Sequence, residues 1–365
     1  MKKIILILSL VASLGAEAQY VTTFAKNVQD NQEDGIFYYL PRTVIRLEFT
    51  VEETDYYIGP YAEFASKLLE INDIVRETKS EFKIMNVDIQ WTNEADPNAV
   101  YFIASDEKNK DPLPNVILDV DGVIMAVGLD SIPAKSRIER QTCKNNGVDV
   151  CERLVPTFVE ILDNDVELDD DDDGNTLKIK SENRAKAAVE KIYNIRTAYF
   201  DLVAGTNEVA YGEAISYMAD GLKNLENEYL SLFKGKIVKS TYKKVYYFTP
   251  DKSHQNSSAS ITKMSANEGI IDMNSKGDLV KIQFESRNSM NNVKQLADDT
   301  KKNAQIGKIF YRLPAETNVK VMTGNKILAE KVLTINQFGD VRIVSVKGNK
   351  ILFNPNTGQI ISITH

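Results

Sequence analysis

The residues best suited to chemistry are few. The chain of 365 residues holds two histidines, His254 and His365. His254 sits in a polar stretch rich in serine and asparagine, and His365 is the last residue. A Ser-His-Asp arrangement needs a buried imidazole oriented by a second group, and neither position promises one. Cys143 and Cys151, the two cysteines, bracket Lys-Asn-Asn-Gly-Val-Asp-Val. In an oxidising compartment an even pair this close is expected to form a disulfide around a loop. That removes both thiols as nucleophiles. The spacing does not suit a zinc knuckle, and no histidine lies nearby.

Asp169-x-Asp171-x-Asp173-Gly174 begins as a calcium loop begins, with alternate carboxylates before a glycine. The twelfth position, where a bidentate glutamate belongs, is Lys180. Asp169, Asp171 and Asp173 are therefore poor calcium candidates, and a solvated acidic linker is the preferred reading. With 52 aspartates and glutamates, residue type leaves room for a paired-carboxylate glycosidase, but the sequence selects no pair. Trp91 and the tyrosines could stack on a sugar, yet aromatics on alternating strands are more often core. No Gly-x-Ser-x-Gly elbow, His-Glu-x-x-His, phosphate loop or dinucleotide fingerprint occurs. No catalytic residue, cofactor or metal is predicted. The net charge of -8 argues against a nucleic-acid partner, which requires a basic footprint.

The elements that would position such groups are clearer. Met1-Lys2-Lys3, an apolar run from Ile4 to Leu14 and Gly15-Ala16-Glu17-Ala18 have the form of a signal peptide. Cleavage after Ala18 would leave Gln19 first, and no later stretch is apolar enough for a membrane helix. From Ser181 to Gly235 the spacing predicts a long antiparallel helical hairpin. Its first seam is Ala185, Ala188, Ile192, Ile195, Tyr199 and Leu202. The second is Ile215, Met218, Leu222, Leu225, Tyr229 and Leu232. Gly221 beside that seam implies a close approach by the first helix, and Gly235 stands at the C-cap. Strand patterns dominate both sides of the hairpin.

The expected fold class is thus α+β, two β-rich domains flanking a long antiparallel helical hairpin. Its parts are a signal peptide (1–18), a β-rich domain with one short helix (19–162), an acidic linker (163–180), the hairpin (181–235) and a second β-rich domain (236–365). Ile45 to Val51 alternates strictly, and Pro41 marks a bulge or strand start. Gly59-Pro60 opens the short helix. Asp121-Gly122 closes a hairpin within 116–127. Residues 19–34 are read as frayed and 251–267 as a mobile loop. Residues 298–304 fit a helical turn or a loop. Ile36-Phe37-Tyr38-Tyr39-Leu40-Pro41 recurs as Ile309-Phe310-Tyr311-Arg312-Leu313-Pro314, which fits two β domains of related construction or a chance match of aromatic strands.

Several separated motifs together carry a family resemblance. They are the signal peptide, Gly-Ile-Phe-Tyr-Tyr-Leu-Pro-Arg-Thr (35–43), Gly-Pro-Tyr-Ala (59–62), and the hairpin with Ile195-Arg196, Gly205, Gly212-Glu213-Ala214 and Tyr229 to Gly235. Phe310 to Pro314 and Gln337-Phe338-Gly339 complete the set. The chain resembles the Bacteroidota family of exported proteins catalogued as domain of unknown function 4831. The resemblance covers nearly all of the expected mature chain. It implies a location in the periplasm or outer envelope of a Gram-negative bacterium, and no activity. The acidic run and the cysteine loop lie outside the family pattern. Asp130-Ser131-Ile132 is similar to the acceptor sequence of general O-glycosylation in Bacteroidota. Two functions remain: a non-catalytic envelope protein that binds another protein or a surface polymer, preferred for want of catalytic motifs, and a carboxylate-based hydrolase of a glycan.

Overall fold

The structure is a computed structural model that describes residues 20–28, 35–105, 113–133, 138, 156–159, 174–205, 212, 214–287 and 305–365. It is built on very long strands. Strand β2 (Gly35–Tyr57) pairs antiparallel with β3 (Lys79–Ser105) along almost its whole length. On its ends this sheet adds β1 (Tyr20–Phe24), β6 (Lys236–Phe248) and the short β10 (Gln305–Ile306), in the order β10-β1-β3-β2-β6.

A second sheet, ordered β12-β11-β9-β7-β8, joins β7 (Ser258–Ser265), β8 (Gly269–Ile271), β9 (Asp278–Ser286), β11 (Lys308–Thr323) and β12 (Lys326–Ser345). The third runs β14-β13-β5-β4, from β4 (Val116–Leu118), β5 (Ile124–Val127), β13 (Lys350–Phe353) and β14 (Ile360–Thr364). All the strand pairs within these sheets are antiparallel.

Two cores follow from the alternation. Ile45, Leu47, Phe49 and Val51 of β2 face Val280, Ile282 and Phe284 of β9 and Val319 and Val321 of β11. Each such side chain contributes about 1.5–3 kcal/mol on full burial. Nearer the start of the same strands, Tyr38 and Leu40 pack with Tyr101, Ile309, Phe310, Ile124 and Phe353. The long strands thus pass from one core to the other, and both central strands break register at their proline. The shifts fall between Tyr39 and Pro41 and between Leu313 and Ala315. The bulge expected at Pro41 is present, because proline cannot donate to the ladder. The echoed segments differ in parity: Tyr38 is buried in the first, Phe310 and Arg312 in the second.

The expected fold class is corrected. Two β-rich domains do not flank the helices, because strands from either side of them share sheets. β6, which follows the helices, pairs with β2 from Ile45 to Tyr57, and β13 pairs with β5. Nor do the helices form the long sealed hairpin. Among the described residues there are three α-helices: α1 (Ala65–Leu69), α2 (Gly174–Ala204) and α3 (Ala214–Lys234). α2 begins inside the stretch read as a linker. On α2 the seam residues Ala185, Ala188, Ile192, Ile195 and Leu202 are buried. On α3, Ile215, Met218 and Leu225 stay 38%, 38% and 44% exposed, and burial is confined to Ser231, Leu232 and Phe233.

The physical reason is that the bases of α2 and α3 pack on a third element rather than only on each other. Ala185, Ala188, Ile192, Leu232 and Phe233 share a cluster with Tyr61, Phe64 and Ala65, the short helix predicted after Gly59-Pro60. Gly59 passes so close to the backbone at Leu232 that a side chain there would collide with it, and the Tyr61 N–H donates to Leu232 O at 2.9 Å. Gly235 ends α3 in the left-handed conformation, its N–H on Ser231 O at 2.8 Å, as a C-cap glycine should. Two further readings are revised. Tyr20–Phe24 is a paired strand rather than a frayed end, and 258–265 of the expected mobile loop is β7. Residues 298–304 lie outside the described residues.

Candidate functional site

The residues singled out for chemistry do not converge. His254 lies in a short 3-10 turn. Its Nδ1 accepts the Asp251 N–H at 3.2 Å, and its ring packs edge-on against Phe248. Ser253 is adjacent, but its hydroxyl donates to Asp251 Oδ1 at 2.5 Å rather than to the imidazole. The Ser253 hydroxyl holds the Asp251 carboxyl below its ordinary range. This is a capping box, with no base aimed at a nucleophile. His365 is exposed at the chain end. Cys143, Cys151, Asp169, Asp171 and Asp173 lie outside the described residues. Among the described residues no three metal-ligating side chains are grouped, and no helix is long and apolar enough to cross a membrane. Trp91 packs against the first core with Lys331 over its ring.

What sequence reasoning missed is a buried polar seam between the two cores. Arg312 Nη2 donates to Asp96 Oδ2 at 2.9 Å and its Nη1 to Pro41 O at 2.7 Å. Gln337 clasps the backbone of Thr43 from both sides: its Oε1 accepts the Thr43 N–H at 3.0 Å, and its Nε2 donates to Thr43 O at 2.7 Å. The Thr43 hydroxyl donates to Asn93 Oδ1 at 3.2 Å and accepts the Asn336 N–H at 3.1 Å. Beyond the seam, on the other face of β2, Arg46 is 2% exposed and donates to Glu48 at 2.6 Å. Lys243 and Arg46 together hold the Glu48 carboxyl below its ordinary range. Arg312 was visible only as the odd member of the echoed segment, where the first copy has Tyr39. These buried hydrogen bonds tie β2 and β3 to β11 and β12, so the seam fixes how the cores join.

Three open surface features lie among the described residues. A pocket of about 640 Å³ beside β4 and β5 is walled by Ile117, Leu118, Val120, Met125 and Ile132, with Asp119, Asp130 and exposed Ser131. Asp119 Oδ1 accepts the N–H groups of Asp121 and Val123, closing the predicted turn. Among the described residues no aromatic ring lines this pocket. A charged notch of about 560 Å³ where α3 meets β6 holds Asp73, Arg76, Glu77, Lys79 and Tyr56. Its acids are exposed, whereas a general acid depends on burial to keep its proton.

The third feature is the outer half of the helical layer. Tyr193, Phe200 and Val203 on α2 are 53%, 67% and 57% exposed, and Tyr217 on α3 is 84% exposed. Between the helices runs an apolar groove of about 520 Å³, lined by Ala198, Asp201, Leu202, Met218, Gly221, Leu222 and Leu225. The close approach expected at Gly221 is absent: a Cβ there would meet nothing within 4 Å.

Residues 34–361 match the family model described as Domain of unknown function (DUF4831). The chain belongs to the DUF4831 family. No curated protein and no solved structure matches it. In this DUF4831 protein three of the separated motifs behind the resemblance, 35–43, 310–314 and 337–339, meet in space. Pro41 and Thr43 from the first receive Arg312 and Gln337 from the last two, and Gly339 lies against the Leu313 carbonyl. The membership assigns no activity to any of them.

Proposed function

We propose that this protein is exported to the envelope of a Gram-negative bacterium of the Bacteroidota and acts there as a non-catalytic binding or scaffold protein. Its ligand is another protein or a surface polymer. The observation that carries the reading is the exposed apolar surface of the outer helical layer. A chain of net charge -8 leaves Phe200, Val203, Tyr217, Met218 and Leu225 exposed on two adjacent helices, and exposed apolar surface of this kind marks interaction sites. Aromatics in such patches are the side chains that anchor interfaces. The rigid seam between the cores suits a frame that presents this surface. The pocket holding Asp119 and Asp130 is walled, among the described residues, by aliphatic side chains rather than by rings on which a sugar could stack.

Export and the Cys143–Cys151 disulfide belong to the same reading. Protein recovered from the native host should begin at Gln19, lie outside the cytoplasm and gain two protons in mass on reduction. Retained Met1, or two free thiols under oxidising conditions, would contradict it.

A further inference from the structure

We draw no further inference here: the strongest candidate, the aliphatic pocket of about 640 Å³ beside β4 and β5 with Asp119 and Asp130 in its wall, carries nothing, because Asp119 Oδ1 accepts the N–H groups of its own turn, Asp130 is exposed, and nothing in the structure shows what fills the pocket.

Discussion

Asp96 on β3 receives the Arg312 guanidinium at 2.9 Å across 216 residues of sequence, with both side chains almost fully buried. The pair ties the strand before the helices to the strand after them, and it sits at the proline bulges where both chains leave one core for the other. Its Coulomb attraction is offset by desolvation, so its net stabilisation is modest. The cost of breaking it is not.

Asp96→Ala should therefore destabilise the protein by about 3–5 kcal/mol, because Arg312 is left buried and unpaired. Asp96→Leu combined with Arg312→Met should cost less than the two single changes added together. Urea unfolding of Asp96→Ala, of the two single changes and of the double measures this, and a single change costing under about 1 kcal/mol would show the pair to be solvated.

Two glycines should respond in opposite directions. Gly339 lies against the backbone carbonyl of Leu313 at the second bulge, where a Cβ would overlap it. Gly339→Ala should force the bulge apart and cost several kcal/mol, on the order of other strained or overpacked core changes. At dilute concentration Gly221→Ala should instead stabilise by about 0.5–1 kcal/mol, since the added methyl meets nothing within 4 Å beyond its own stretch of helix and the unfolded chain loses freedom. Thermal melts of both variants separate a structural glycine from one kept for another purpose.

The strand pattern was legible where alternation was strict. Ile45 to Val51 alternates and is buried on one face. Asp121-Gly122 turns with Gly122 at φ +79° and Asp119 bonded to the two N–H groups beyond it. Legibility failed where turn-forming residues lie inside a ladder. Thr92 to Asn98 looks like a loop, yet β3 runs through it because Asn93 and Asp96 find partners in Thr43 and Arg312. Ser258–Ser265 shows little apolar alternation and became a strand between two neighbours. The helical spacing on α3 marked an apolar stripe correctly, but periodicity does not say what covers a stripe. The candidate binding surface was therefore invisible as a surface: Met218 and Leu225 read as core until their exposure was known.

That distinction gives a direct stability test. Leu232 is 1% exposed in the cluster with Tyr61 and Phe233, so Leu232→Ala should cost about 2–5 kcal/mol. Leu225, 44% exposed, should cost under about 1 kcal/mol beyond the small gain in helix propensity. Equal costs in dilute solution would place Leu225 in a sealed seam after all.

Stability should also fall at both ends of the pH scale, for separate reasons. Burial pushes the Tyr101 phenol from 10.0 up to about 12. The folded state therefore keeps this proton while the unfolded chain loses it, and stability declines as pH rises from 10 toward 12. Tyr101→Phe should remove that part of the alkaline loss. Glu48 behaves in the opposite sense. Lys243 and Arg46 hold its carboxyl below the ordinary 4.5, so its contribution is present above that pH and is lost as pH falls below it. Glu48→Gln should flatten the acid limb, and unchanged limbs in both variants would exclude these groups.

The proposed binding of an envelope partner by the outer helical layer has a direct test. A photo-reactive amino acid placed at Phe200 in cells of the native host, with Lys276 on an exposed turn as control, addresses it in one measurement. A discrete cross-linked species is expected from position 200 and none from position 276. No product at position 200 despite abundant exported protein, or glycan turnover that disappears in Asp119→Asn, would contradict it.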